Sequence, residues 1–107
     1  MASSTSGPGD SQGYYIIAAL DQIEPGSLDV YGPAAAESIV KHGGTVDAIL
    51  DVDEHFEGDA KTARMVVIRF VDRAAALEWY RSTEYSSLIP LRHAGSITRF
   101  MAGYRNA

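Results

Sequence analysis

The chain contains no cysteine. That absence excludes disulfides, thiolate nucleophiles, iron–sulfur clusters and thiolate zinc sites together, and it fits a reducing compartment. The expected location is cytoplasmic. No apolar run approaches the ~20 residues of a bilayer-crossing helix, so no membrane partner is expected. Positive charge is scarce as well: 9 Lys and Arg stand against 14 Asp and Glu, for a formal net charge of −5. A field of that sign repels phosphate backbones, and nucleic acid is not an expected partner. Also missing are a Gly-rich phosphate loop, a nucleophile elbow and a His-Glu-x-x-His helix. The common phosphate, acyl-enzyme and zinc-protease chemistries therefore have no sequence support.

What is present is the composition of an ordinary globular domain, with 46% hydrophobic and 21% charged residues in a chain of 107. That length can bury one core. Residues 1–12, rich in Ser, Gly and Pro, bury too little surface to offset the ordering entropy and are expected to form a flexible tail. Residues 13–107 form the expected single domain.

The run Tyr14–Leu20 reads as a buried strand between Gly13 and Asp21. Glu24-Pro25-Gly26-Ser27 turns the chain. Ser27 is the expected cap of a helix whose Leu28, Tyr31, Ala35, Ile39 and His42 share one face. Pro33, deep in such a helix, is expected to kink it, and Gly43 suits the left-handed position after its end. From Val46 to Glu57 the period becomes two. Val46, Ala48, Leu50, Val52 and Phe56 fall on one side, with Asp47, Asp51, Asp53, His55 and Glu57 on the other. A turn at Gly58-Asp59-Ala60-Lys61 leads into a buried strand over Arg64–Val71. Asp72 caps a second helix running to about Arg81, with Leu77 and Tyr80 expected against the sheet. A short helix over Glu84–Leu88 is expected to stop near Pro90, and Ile97–Met101 reads as the last strand.

The resulting order, β-α-β-β-α-β, is that of an α+β ferredoxin-like fold, an antiparallel sheet with two helices on one face. Its other face, bearing Met65 and Val67, would expose more apolar surface than soluble monomers usually carry. A homodimer packing sheet against sheet is expected.

The residues Tyr31…Pro33…His42-Gly43-Gly44, Glu57-Gly58…Arg64–Phe70 and Ala76…Trp79-Tyr80-Arg81-Ser82…Glu84-Tyr85…Arg92 resemble the family known as domain of unknown function 1330. The resemblance spans about residues 14–104 and departs after Gly44, where Thr45-Val46-Asp47 stands in place of an expected basic residue. It implies the dimeric α+β barrel superfamily, with a pocket between sheet and helices in each subunit. Relatives in that wider superfamily include cofactor-independent monooxygenases, isomerases and cyclases acting on aromatic or polyketide-like compounds. No cofactor is implied.

Against this frame His42 is the candidate acid or base, since an imidazole titrates near neutrality. A histidine favoured by a helix C-terminus accounts for it equally. Tyr31, Tyr80 and Tyr85 are candidates to line one cleft, each with an apolar body and a polar tip, and ordinary core tyrosines are the alternative. Arg92 is a candidate anion anchor through its planar fork, unless it pairs on the surface with Glu84 or Glu78. Trp79 reads as a core or interface anchor. Asp51, Asp53, His55 and Glu57 alternate along a strand at ~7 Å per step, too widely to grip one ion without another element, so a solvated acidic face is expected there and no metal.

The expected function is a small cofactor-independent enzyme acting on an apolar or aromatic, polyketide-like metabolite by acid–base chemistry: isomerisation, cyclisation or oxygenation. The alternatives are a non-catalytic binding or carrier protein with the same pocket, and a stress or assembly protein using the acidic face.

Overall fold

A computed structural model describes residues 13–58 and 63–107. The elements run β1 (Tyr14–Gln22), α1 (Tyr31–Lys41), β2 (Thr45–Asp51), β3 (Arg64–Phe70), α2 (Arg73–Arg81), α3 (Thr83–Ser86), α4 (Ile89–Gly95) and β4 (Ser96–Arg105). The strands form a four-stranded antiparallel sheet in the order β2-β3-β1-β4, the ferredoxin-like arrangement. The expected tail over residues 1–12 and the turn positions Asp59, Ala60 and Lys61 lie outside the described residues.

Pairing is in register where β1 meets β3, with Ile16 opposite Ile68 and Ala18 opposite Val66. One face of the sheet carries Ile16, Ala18, Leu20, Ile68 and Phe70, all buried. The helices cover this face. Trp79, Phe70 and Tyr85 are its largest fully buried side chains; the indole lies 4.1 Å from the Tyr85 ring and 5.4 Å from Phe70, centroid to centroid. Burial of an indole N–H demands an acceptor. Ser38 on α1 supplies it at 3.0 Å and passes its own proton to the Ala35 carbonyl at 2.7 Å, which ties the two long helices together through one hydroxyl.

Several local expectations are corrected. The chain over 25–30 forms turns and α1 begins at Tyr31, so Pro33 sits in the first turn, where its missing N–H costs nothing, and it does not kink the helix. Ser27 does not cap α1; its hydroxyl donates to the Gly95 carbonyl instead. Strand β2 stops at Asp51, and the register against β3 shifts between Val46 and Ala48. The extra residue, Asp47, reverses the alternation: Val46 and Ile49 oppose Ile68 and Val66 on the helix side, whereas Ala48 and Leu50 oppose Val67 and Met65 on the other. Asp53, His55 and Glu57 accordingly share no strand face with Asp51. Pro90 starts α4 rather than ending a helix. On α2 the buried residues are Ala76 and Trp79, while Tyr80 is exposed. The last strand is longer than expected at both ends.

Other expectations match. Gly43 has φ +80° after α1, the left-handed turn that glycine tolerates. Asp72 caps α2 by accepting from the Ala75 N–H at 2.9 Å.

At Gly95 the end of α4 is pressed onto the 23–28 loop. Its carbonyl accepts from Ile23 N–H at 3.0 Å as well as from Ser27, and a Cβ there would run into the Ser27 main-chain carbonyl. Backbone cannot rotate aside as a side chain can, so Gly95→Ala is expected to lower stability by roughly 1–3 kcal/mol, the usual range for overpacking. A urea midpoint that does not move would show α4 free to shift.

Among the described residues no helix covers the opposite face of the sheet. Leu50, Ile97, Phe100 and Tyr104 are exposed there.

Candidate ligand cavity

A cavity of about 310 Å³ lies between α1 and the sheet. Its walls are Ala18, Leu20, Ala35, Ile39, Val46, Ile49, Val66, Ile68 and Met101, with Leu28 and Tyr31 closing the side. The period of two on each strand and of three to four on α1 brings these residues to one space, and the Asp47 bulge is what delivers Ile49 to it. The polar lining is concentrated at one end. Gln22 closes β1 and Arg64 opens β3, so antiparallel pairing brings both to the same edge, while Asp29 enters the lining from the loop between β1 and α1. Asp51 holds the Arg64 fork through Nε at 2.7 Å and Nη2 at 3.1 Å. That hydrogen bond lowers the Asp51 pKa below the usual carboxylate range.

At the β4 side of the cavity the polar chemistry is buried. Arg92, on α4, is 4% exposed. Its Nη1 donates to the Tyr85 hydroxyl at 2.5 Å and to Met101 Sδ at 3.3 Å, Nε to Thr98 Oγ1 at 3.3 Å, and Nη2 faces His93 Nε2 at 3.3 Å. None of these acceptors is a carboxylate, and among the described residues no ion pair involves Arg92. The surface pairing with Glu84 or Glu78 is therefore not formed. The Tyr85 hydroxyl lies 2.7 Å from that of Tyr31, and Tyr31 lines the cavity. Burial first, then the neighbouring Tyr31, pushes the Tyr85 pKa well above the ordinary tyrosine range, so Tyr85 stays an O–H donor. Burial also works against the Arg92 charge, but Tyr85 and Tyr31 outweigh it and the guanidinium remains protonated.

Tyr31, Tyr85 and Arg92 are thus brought together in one chain from cavity wall to interior. Tyr80 stands apart from the lining; it is 39% exposed and packs on Tyr85 at 5.6 Å between ring centroids. His42 caps the C-terminus of α1, outside the lining, with Nδ1 3.0 Å from the Ser38 carbonyl and Nε2 3.8 Å from Glu84. Met101 and His93 escaped the sequence reading. A signal existed for the burial of Arg92: Tyr85, Leu88 and Arg92 recur at helical spacing, with the cation where an apolar residue belongs.

A second, more open basin of about 940 Å³ lies under the 52–58 segment, bounded by Leu50, Phe56, Met65, Arg99 and the acidic Glu54 and Glu57. The described residues place no group of three or more His, Asp or Glu to hold a metal ion. No helix among them is long and apolar enough to cross a membrane.

The model of a family described as a domain of unknown function, DUF1330, matches residues 13–102. The chain belongs to the DUF1330 family. Solved structures share its fold. The RPA0582 protein of unknown function from Rhodopseudomonas palustris superposes with a TM-score of 0.74 at 14% identity, over 91% of this chain and 84% of that one. SnoaB, a cofactor-independent oxygenase from Streptomyces nogalater, gives 0.68 at 9% identity over 90% and 94%. HapK from Hahella chejuensis gives 0.57 at 13% identity over 88% and 92%. At such identities the likeness is one of fold. No curated protein matches the sequence. Within this DUF1330 chain the cavity, not a shared motif, is what a functional reading has to rest on.

Proposed function

We propose that this DUF1330 protein is a small cofactor-independent enzyme that holds an apolar or aromatic, polyketide-like metabolite between α1 and the sheet and moves a proton on it, in an isomerisation, cyclisation or oxygenation. One observation carries the reading: an apolar cavity of about 310 Å³, the size of a small-ligand site, has a buried arginine without a carboxylate behind one wall. A cation desolvated at that depth is costly to keep, and structure alone gains little from it. The fold shared with SnoaB, a cofactor-independent oxygenase, supports the same class. Tyr31 would meet the ligand, and Tyr85 and Arg92 would act through it; Tyr80 would stiffen Tyr85 from outside. His42 serves as acid or base in this reading only if loss of activity follows His42→Gln, because its ring stands off the cavity.

That position of His42 favours a second reading, a carrier with the same cavity and no chemistry. A rate governed by a group titrating near neutrality separates the enzyme from the carrier, which would bind without turnover.

The exposed Leu50, Ile97, Phe100 and Tyr104 support a homodimer through the bare sheet face. Native mass spectrometry of freshly purified protein addresses dimer and ligand together. The expected species is a dimer retaining a mass of a few hundred daltons, on the order of a drug-sized ligand. Ala35→Phe, which fills the cavity from α1, should lose that mass and stay dimeric. A clean monomer at micromolar concentration would remove the dimer, and retention of the same ligand by Ala35→Phe would remove the cavity.

A further inference from the structure

The direction of the Tyr31–Tyr85–Arg92 hydrogen bonds is fixed by chemistry. A guanidinium donates and cannot accept, so the Tyr85 oxygen accepts from Arg92. Tyr85 is fully buried, and among the described residues its hydroxyl meets only Arg92 and Tyr31. Were Tyr31 to donate to Tyr85, the Tyr85 proton would be buried with no acceptor, at a cost that native structures avoid. The bond therefore runs from Tyr85 to Tyr31. Tyr31 then keeps its own proton uncommitted, since its hydroxyl has no further acceptor among the described residues.

We infer that the Tyr31 hydroxyl is the donor of an oxyanion site, polarised through Tyr85 by Arg92, which selects ligands carrying an ionisable phenol or enol and binds them as the anion. The ligand O–H proton passes to solvent, and the phenolate or enolate oxygen accepts from Tyr31. Three features agree. The chain begins at a cation and every bond in it points toward the cavity, so each dipole reinforces the next. The lining contains a single carboxylate, Asp29, and also a cation, Arg64. Apolar walls also leave the anion without competing water, where a fixed donor acts most strongly.

This rests on the cavity being the ligand site, and two probes keep the two ideas apart: 4-nitrophenol, whose anion is coloured, and 4-nitroanisole, its neutral methyl ether of nearly the same shape. Spectrophotometric pH titration with protein in excess reads the ionisation of the bound phenol. The expected result is a midpoint about one pH unit or more below that of free 4-nitrophenol, a preference for the anion of tenfold or more. Tyr31→Phe should bind both probes with no shift. Arg92→Met should behave likewise, and Arg92→Lys should retain part of the shift, because an ammonium keeps the charge and loses the fork. Equal binding of both probes with an unshifted midpoint would overturn the oxyanion site and leave the cavity standing. Failure of the native protein to bind either probe would overturn both.

Discussion

Arg92→Met is expected to leave the protein folded and as stable as before, or slightly more so, while the proposed turnover falls by up to roughly 10²- to 10³-fold, the range for loss of charge stabilisation at a reacting oxygen. The two halves of this expectation come from one fact. Replacing a buried cation by an apolar side chain of similar size is often neutral or favourable for folding, and no acidic group here is left behind without its partner. The cost is the Tyr85 hydroxyl and Thr98 losing a donor, which offsets part of the gain. Thermal unfolding alongside initial rates decides it. Parallel loss of stability and activity would make Arg92 a structural residue and its position behind Tyr31 a coincidence.

Trp79→Ala is expected to cost about 3–5 kcal/mol, the range for truncating a fully buried large aromatic. Here the upper part of that range applies. The indole contacts Phe70 from β3 and Tyr85 from α3 and donates to Ser38 on α1, so its loss opens a void and strips one of the links between α1 and α2. At about 4–8 °C per kcal/mol for a domain of this size, the melting temperature should fall on the order of 15–40 °C. Trp79→Phe should recover most of the packing but not the Ser38 bond. If Ala and Phe cost the same, hydrogen bonding rather than volume sustains the site.

How much of this was legible in the sequence depends on the range of the interaction. Asp72 and Gly43 act within one turn, and both were readable because a cap or a left-handed turn needs no distant partner. The strand order followed from hydrophobic runs. Pro33 and Pro90 were misread for a shared reason: whether a proline kinks a helix or opens one depends on where the helix starts, and here tertiary packing sets that. The Asp47 bulge was invisible because Val46, Ala48 and Leu50 alternate plausibly without it, and only pairing with β3 shows the slip. At the site, Tyr31, Tyr85 and Arg92 were singled out separately, the tyrosines as candidates to line a cleft and Arg92 as a candidate anion anchor. Their connection is a matter of 2.5–2.7 Å contacts across α1, α3 and α4, which no spacing rule reports. Tyr80 was misplaced by one helical step, since Ala76 and Trp79 rather than Leu77 and Tyr80 turn inward.

The single-residue slip in β2 also bears on how such a protein can diversify. Because it restores alternation in step with β3, the positions that size the cavity (Val46, Ile49, Val66 and Ile68) and those on the uncovered face (Ala48, Leu50, Met65 and Val67) form two sets with no member in common. Substitutions can retailor what fits inside without rewriting the outer surface, and the reverse. Deletion of Asp47 itself would remove the bulge and leave both sets in place, since Val46, Ala48, Ile49 and Leu50 already alternate in step with Ile68, Val67, Val66 and Met65, whereas an insertion or deletion between Ala48 and Leu50 would turn the residues beyond it to the other face.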